Sequence, residues 1–121
     1  MSDNEPVAFD EDLAGRIREL IGGEKALSEQ RMFGGLAFLI GGNMAISASG
    51  QGGLLVRVDP GRSDTLAGGP HVEVAIMRGR AMPGWLRVEA EGVKTKAQLR
   101  RWVDEGVAYA RSLPRKQLNP R

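Results

Sequence analysis

The chain contains no cysteine, one histidine and one tyrosine. The absence of cysteine excludes disulfide bonds, thiolate metal ligands and cysteine nucleophiles, and it is compatible with a reducing compartment. No apolar run approaches the roughly 20 residues of a membrane-spanning helix. The polar, acidic start has no basic and then apolar pattern of the kind that marks a signal peptide. We therefore predict a cytoplasmic protein that does not associate with membranes.

Charge is unevenly distributed along the 121 residues, although the net charge is only +2. Residues 1–30 carry eight acidic and three basic side chains, and residues 94–121 carry eight basic and two acidic ones. A basic end can bind nucleic acid or an acidic partner. We favour a solvated helix face and tail that partly neutralise the acidic first helix, because the overall net charge is modest.

The length predicts one domain with a single core. We predict a flexible leader over residues 1–8, the domain over residues 9–114 and a basic, disordered tail over residues 115–121. Glycine pairs and prolines divide the domain into short segments with helical or alternating apolar patterns. The predicted elements are a helix from Asp10 to Gly22, strands over residues 30–40, 44–49 and 54–58, a short helix over 60–66, strands over 72–77 and 85–90, and a last helix over 96–112.

The strand over residues 30–40 organises this prediction, because it is the longest apolar run and both of its faces are apolar. Such a strand is typical of the centre of a sheet that is covered on both sides. Glycine-rich turns join it to the next two strands as an antiparallel meander. Hairpin-joined strands with helices around them indicate an α+β fold. In the last helix, Thr95 is the predicted N-cap and Trp102 belongs to the apolar stripe.

Four segments together resemble one known family. They are Arg-Met-Phe-Gly-Gly at residues 31–35, Leu-Leu-Val-Arg-Val-Asp at 54–59, Met-Arg-Gly-Arg-Ala-Met-Pro-Gly-Trp at 77–85 and Trp-Val at 102–103. In this combination the chain resembles the N-terminal domain of the TfoX/Sxy family over about residues 9–114. The resemblance implies an α+β fold of the secretion-chaperone-like kind. It also implies a link to the regulation of natural competence, in which founding members act beside a cyclic-AMP receptor protein at promoters. It brings no catalytic residues.

Founding members of that family carry a second, helical domain. Here seven residues follow Pro114, so we expect a single-domain member. We predict a small regulatory or adaptor domain that acts by contact with a protein partner, such as a transcription regulator. The candidate contact residues are Arg78, Arg80, Trp85 and Arg87, because arginine and tryptophan are enriched at interface hot spots. A homodimer would cover the sheet face or edge that the two terminal helices leave free.

The alternative is weak, salt-sensitive nucleic-acid binding through Arg100, Arg101, Arg115 and Lys116 in the last helix and the tail. No helix-turn-helix, zinc-finger or RNP pattern accompanies these bases. A small enzyme is the third hypothesis. His71 has no carboxylate partner nearby in the sequence, and Tyr109 lies beside the apolar stripe of the last helix. We therefore predict no enzyme and no catalytic, cofactor-binding or metal-binding residues.

Overall fold

The computed structural model describes residues 9–32 and 34–116. It is an α+β structure, which confirms the predicted fold class. Within these residues no helix is both long and apolar enough to span a membrane. The elements in chain order are α1 Glu11–Ile21, β1 Leu27–Met32, β2 Gly35–Ile40, β3 Asn43–Ala48, β4 Leu54–Arg57, α2 Ser63–Leu66, β5 Val72–Met77, β6 Arg80–Val88 and α3 Lys96–Ser112. Two short 3-10 turns, Pro60–Arg62 and Ala90–Val93, precede α2 and α3.

The strands form one antiparallel sheet in the order β1-β2-β3-β4-β6-β5. The first four strands follow each other as a meander, and β5 and β6 form a hairpin that joins the meander through β6. The two edge strands are therefore β1 and β5. Helices α1 and α3 contribute to one core with the inward side chains of the sheet, so both terminal helices lie on the same side.

The predicted strand over residues 30–40 is in fact a hairpin, and the sheet has six strands rather than five. Strand β1 ends at Met32, which pairs with Gly35 at the start of β2. Gly34 adopts a φ of 77°, a left-handed conformation that glycine reaches without a steric penalty. Gly34 thus lies in a turn in the middle of the segment that was predicted as one strand, and Gly35 begins the next strand. Phe33 lies outside the described residues.

Residues 78–84 were predicted to be a connection, but β6 begins at Arg80. Only Arg78 and Gly79 turn the chain, with φ values of 53° and 78°, as in the tight turns that suit hairpins. Pro83 and Gly84 are accommodated by an irregularity, since the register of the β5–β6 pair shifts between Val74 and Ile76. The strand therefore continues through residues that usually interrupt one.

Side-chain caps fix where the helices begin. Asp10 Oδ1 accepts a hydrogen bond of 3.1 Å from the Leu13 amide at the start of α1, so this carboxylate caps a helix. Thr95 and Gln98 form a reciprocal capping box at the start of α3. Such caps satisfy amide groups that have no partner inside the helix. The predicted N-cap Thr95 and the predicted bounds of α3 are confirmed.

The main core fills the space between the sheet and the two long helices. All six residues of β2 are buried, so this strand is covered on both faces, as its sequence predicts. Phe38 and Ile46 pair across β2 and β3 on the helix side and are fully buried. On the other face of the sheet, Ala37, Leu39 and Met44 form a second, smaller buried cluster.

The segment after α3 lies against the turn between β2 and β3. The Lys116 amide donates a 2.8 Å hydrogen bond to the Gly41 carbonyl, and Asn43 Nδ2 donates one of 2.9 Å to the Pro114 carbonyl. The predicted tail was to start at residue 115. Arg115 and Lys116 have exposed side chains but a defined backbone path, and residues 117–121 lie outside the described residues.

An ion pair connects α1 to the edge strand β1. Arg18 donates to both carboxylate oxygens of Glu29, at 2.7 and 2.9 Å. The hydrogen bond from Arg18 is the main cause that holds the pKa of Glu29 below its usual range. A carboxyl group with a lowered folded-state pKa stabilises the fold above its unfolded-state pKa, and this stabilisation disappears as pH falls through the folded-state pKa.

We expect the Glu29→Gln variant to be less stable than the wild type at neutral pH. The two should converge as pH falls below the ordinary glutamate pKa of about 4.3. The difference should be small, because both side chains are largely solvent-exposed. Thermal unfolding across this pH range measures it. Glu19→Gln is the control, since Glu19 forms no ion pair with a described residue. A stability difference that does not change with pH would contradict the assignment.

Candidate protein-contact surface

The sheet has a second face, which points away from α1 and α3. The strand register places one row of side chains across it, because residues paired between antiparallel strands share a face. This row contains Ala37, Ser47, Leu55, Arg87 and Glu73 in order across β2, β3, β4, β6 and β5. One half of the row is therefore uncharged, and the other half is charged.

The uncharged half contains a methionine-rich cluster. Half-buried Met32, Leu55 and Trp85 pack against its buried members. No residue of the described helices belongs to this cluster, so the strands alone supply it. Methionine side chains are flexible and polarisable, and they are common at binding surfaces that adapt to a partner. We call these six residues the methionine cluster. Ala37, Leu39 and Met44 are its buried members, and Met32, Leu55 and Trp85 are its half-buried members.

A groove of about 400 Å³ lies beside the methionine cluster. Ser49 and Gln51 of the β3–β4 turn line one part of it, and the end of β5 lines another. Leu55 belongs to both the cluster and the groove, so the two are continuous. Among the described residues, two arginines are the only charged side chains that line the groove. The described lining is Ser49, Gln51, Leu55, Ala75, Ile76, Met77, Arg78 and Arg87.

Arg87 is held in place by the turn between β3 and β4. Its Nη1 atom donates to Ser49 Oγ at 3.2 Å, and its Nη2 atom lies 3.5 and 3.4 Å from the carbonyl oxygens of Gln51 and Gly52. These neutral acceptors orient the guanidinium group, and no described carboxylate, including that of its cross-strand neighbour Glu73, lies within ion-pair distance of it. An oriented arginine loses less side-chain entropy when it binds a carboxylate.

Arg57 is held by two aromatic rings. Its guanidinium carbon lies 5.3 Å from the centroid of Trp85 and 5.6 Å from that of Tyr109, within the range of cation–π attraction. No ion pair joins Arg57 to Asp59, its neighbour in the sequence. Asp59 instead accepts a 2.9 Å hydrogen bond from the Gly61 amide and caps the following turn.

The structure brings together some of the four candidate contact residues. Arg78 and Arg87 line the same groove, and Trp85 lies in the adjoining methionine cluster. Arg80 is exposed at the start of β6, opposite Met77, but does not line the groove. Sequence reasoning missed Leu55 and Arg57 as members of the surface. Their signal was the alternation within β4, where both fall on the face opposite Leu54 and Val56.

A comparison with models of known protein families identifies the family of this chain. The model described as the TfoX N-terminal domain matches residues 19–110. The chain belongs to the TfoX N-terminal domain family. The matched region includes all six strands and therefore the methionine cluster and the groove. No curated protein and no solved structure matches this TfoX N-terminal domain.

The candidate nucleic-acid residues of this TfoX N-terminal domain do not form one patch. Arg100 lies 3.9 Å from Asp104, and Arg101 lies over the ring of Trp102, 4.7 Å from its centroid. Arg115 and Lys116 follow the other end of α3, which rises about 18 Å between Arg100 and its last residue. The four bases therefore present two separate sites.

His71 has a carboxylate neighbour that its sequence surroundings do not suggest. Its Nδ1 atom lies 3.4 Å from Oε1 of Glu89, which the β5–β6 hairpin brings beside it. Both side chains are exposed. Among residues 9–32 and 34–116, no three histidine, aspartate or glutamate side chains converge as a metal site would require.

Proposed function

We propose that this TfoX N-terminal domain is a cytoplasmic regulatory adaptor that acts by contact with a protein partner rather than by catalysis. The observation that carries the proposal is the second face of the sheet, where an apolar cluster adjoins a groove lined by two arginines. The family relationship supports a transcription regulator as the partner.

The composition of this surface is that of an interface core. Interface cores are enriched in aromatic residues, methionine and arginine relative to the rest of a protein surface. Here Met32, Met44 and Trp85 adjoin Arg87 and Arg57, whose guanidinium groups are already oriented. Preorganised anchors of this kind contribute most of the binding energy in measured interfaces.

The basic residues of α3 support nucleic-acid binding less well. Arg111 donates a 2.5 Å hydrogen bond to Glu24, and Arg100 lies near Asp104, so the acidic residues of the chain compensate part of the basic end. Phosphate binding requires cations that are available to displace counterions. The arginines of the groove have no such carboxylate partner among the described residues.

We expect a protein partner to be retained from cell extract by the immobilised wild-type domain and lost by its Arg87→Glu variant. Arg100→Glu makes the same charge change on α3 and should leave retention intact. Circular dichroism and thermal unfolding check that both variants fold. Retention that survives Arg87→Glu but not Arg100→Glu would move the contact to α3, and retention of nothing by the wild type would contradict the proposal.

Two further measurements test whether a second copy of the chain binds this surface or whether the protein binds DNA instead. A second copy of the chain would give a mass of about twice 13.1 kDa in light scattering at micromolar concentrations. Duplex DNA binding would weaken steeply with salt, with a log–log slope of about −0.9 per neutralised phosphate. A steep slope that is abolished by Arg100→Glu would favour the nucleic-acid role over protein contact.

A further inference from the structure

The two edges of the sheet differ in how they are protected against pairing with another strand. Edge strand β1 is polar, with four consecutive exposed residues from Ser28 to Arg31, and the Arg18–Glu29 ion pair braces it. Charged side chains and ion pairs of this kind discourage edge-to-edge pairing. Edge strand β5 has one charged residue, Glu73, and carries Ile76, which is 66% exposed.

Ile76 is the one large hydrophobic side chain that is exposed among the described residues. It follows the register shift between Val74 and Ile76. Such irregularities redirect side chains and are common beside binding sites. Ile76, Ala75 and Met77 line the groove, so the free edge of β5 and the groove are one continuous surface.

The charge of this surface specifies the chemistry of its occupant. In the described part of the chain, Arg78 and Arg87 are the only charged residues that line the groove, and no described carboxylate forms an ion pair with either. The remaining lining contains Leu55, Ile76 and Met77. A fitting occupant therefore combines carboxylates with apolar side chains.

We propose that β5 takes an extended acidic segment of a partner protein as a seventh strand of the sheet. This inference rests on the proposed function and names the partner's chemistry. The backbone of the segment pairs with the free edge of β5. Side chains on one face of the segment enter the groove at every second residue, about 7 Å apart. Carboxylates bind Arg78 and Arg87, and apolar side chains contact Ile76 and Met77.

This mode divides affinity and specificity between backbone and side chains. In strand addition, main-chain hydrogen bonds supply much of the affinity, and pockets for alternate side chains supply the selectivity. Arg87 enters such a complex already oriented by Ser49 and by carbonyl groups of the β3–β4 turn. The groove thus selects for an acidic segment, and the edge of β5 selects for an extended one.

The test uses the full chain and a fluorescently labelled eight-residue peptide whose odd positions carry glutamate and valine by turns and whose even positions carry threonine, so that one face of the extended peptide presents both side chains to the groove. Fluorescence anisotropy should show saturable binding of this peptide and none of the same peptide with lysine in place of glutamate. The Arg78→Ala/Arg87→Ala variant should bind the acidic peptide about tenfold or more weakly, since hydrogen bonds to charged groups are among the strongest. Arg100→Ala/Arg101→Ala removes the same charge from α3 and should bind it as the wild type does.

A peptide of the same sequence with methylated amide nitrogens at alternate positions tests the strand pairing. Each register of methylation is made, because only one edge of the bound strand faces β5. Loss of binding in one register and not in the other supports the seventh strand. Equal binding of both methylated peptides overturns the strand addition, and equal binding of the lysine peptide overturns the acidic occupant.

The proposed function can stand if this inference fails. No saturable binding of the acidic peptide at concentrations up to about 1 mM, a Kd too weak for specific recognition, overturns the inference. A partner that is still lost on Arg87→Glu would then show that the second face binds a folded protein surface. If the acidic peptide does not bind and the Arg87→Glu variant still retains the partner, the proposed function fails as well.

Discussion

Replacing Phe38 by alanine should lower the free energy of unfolding by about 3–5 kcal/mol, the usual cost of truncating a fully buried phenylalanine. Phe38 has no exposed surface and lies on β2, beneath the helix layer. Its pairing with Ile46 across β2 and β3 places it within the main core, where neighbouring side chains cannot collapse fully into the cavity. Urea unfolding followed by circular dichroism measures the change.

Ile76→Ala is the matched control for this substitution. It also truncates a large hydrophobic side chain on a strand, but Ile76 is mostly exposed, so its loss should change stability by no more than about 0.5 kcal/mol. A Phe38→Ala variant within about 1 kcal/mol of the wild type would contradict the packing of β2 beneath the helices, because a well-packed phenylalanine costs more than that to truncate.

Helix positions could be predicted well, because local signals determine them. Asp10 and Thr95 cap helices where their sequence patterns indicate, and the apolar stripe of α3 faces the sheet. These features depend on residues three or four apart in the chain. The bounds of β5 could also be predicted, because a local alternation of apolar and polar residues marks this strand.

Glycine and proline were harder to interpret, because each has two structural uses. Gly34 and Gly35 were placed inside one predicted strand, whereas Gly34 turns the chain between two strands. Pro83 and Gly84 were interpreted as a loop, whereas they lie within β6. There the Gly84 amide donates to Ser63 Oγ, a partner that is distant in the chain. Tertiary contacts of this kind decide the outcome, and local sequence does not contain them.

The candidate site was predicted only in part for the same reason. Arg78, Trp85 and Arg87 could be singled out by residue type and by their position near one hairpin. Leu55 joins Arg87 through the pairing of β4 with β6, and Arg57 meets Tyr109 through the packing of α3 on the sheet. Such neighbours follow from strand order, which was not fixed by the sequence patterns.

The uneven charge of the chain also has a structural counterpart. Glu24 follows the acidic first helix, and it accepts a hydrogen bond from Arg111 at the end of the basic last helix. Arg62 similarly donates to both carboxylate oxygens of Glu105. The Glu24–Arg111 pair therefore connects the acidic start of the chain to its basic last helix. The arginines of the groove do not take part in these pairs, which distinguishes them as candidates for external contact.

Replacing Gly106 by alanine should destabilise the protein by about 2 kcal/mol or more, although alanine normally favours a helix by up to about 1 kcal/mol over glycine. Gly106 lies on the buried side of α3, where the helix crosses β3. A β-carbon there would lie 2.9 Å from the Ala45 carbonyl carbon and closer still to its oxygen. A backbone group cannot rotate away as a side chain can, so the helix must move off the sheet. Urea unfolding measures the loss.

Gly15→Ala in α1 provides the matched control, because it makes the same substitution in the other long helix. A β-carbon at Gly15 would meet nothing within 4 Å. This variant should gain about 0.5–1 kcal/mol from the helical preference and the reduced entropy of the unfolded chain. Opposite signs for the two substitutions would establish that α3 contacts the backbone of β3 at Gly106. A gain in stability for Gly106→Ala would show that α3 does not approach β3 closely enough to require glycine.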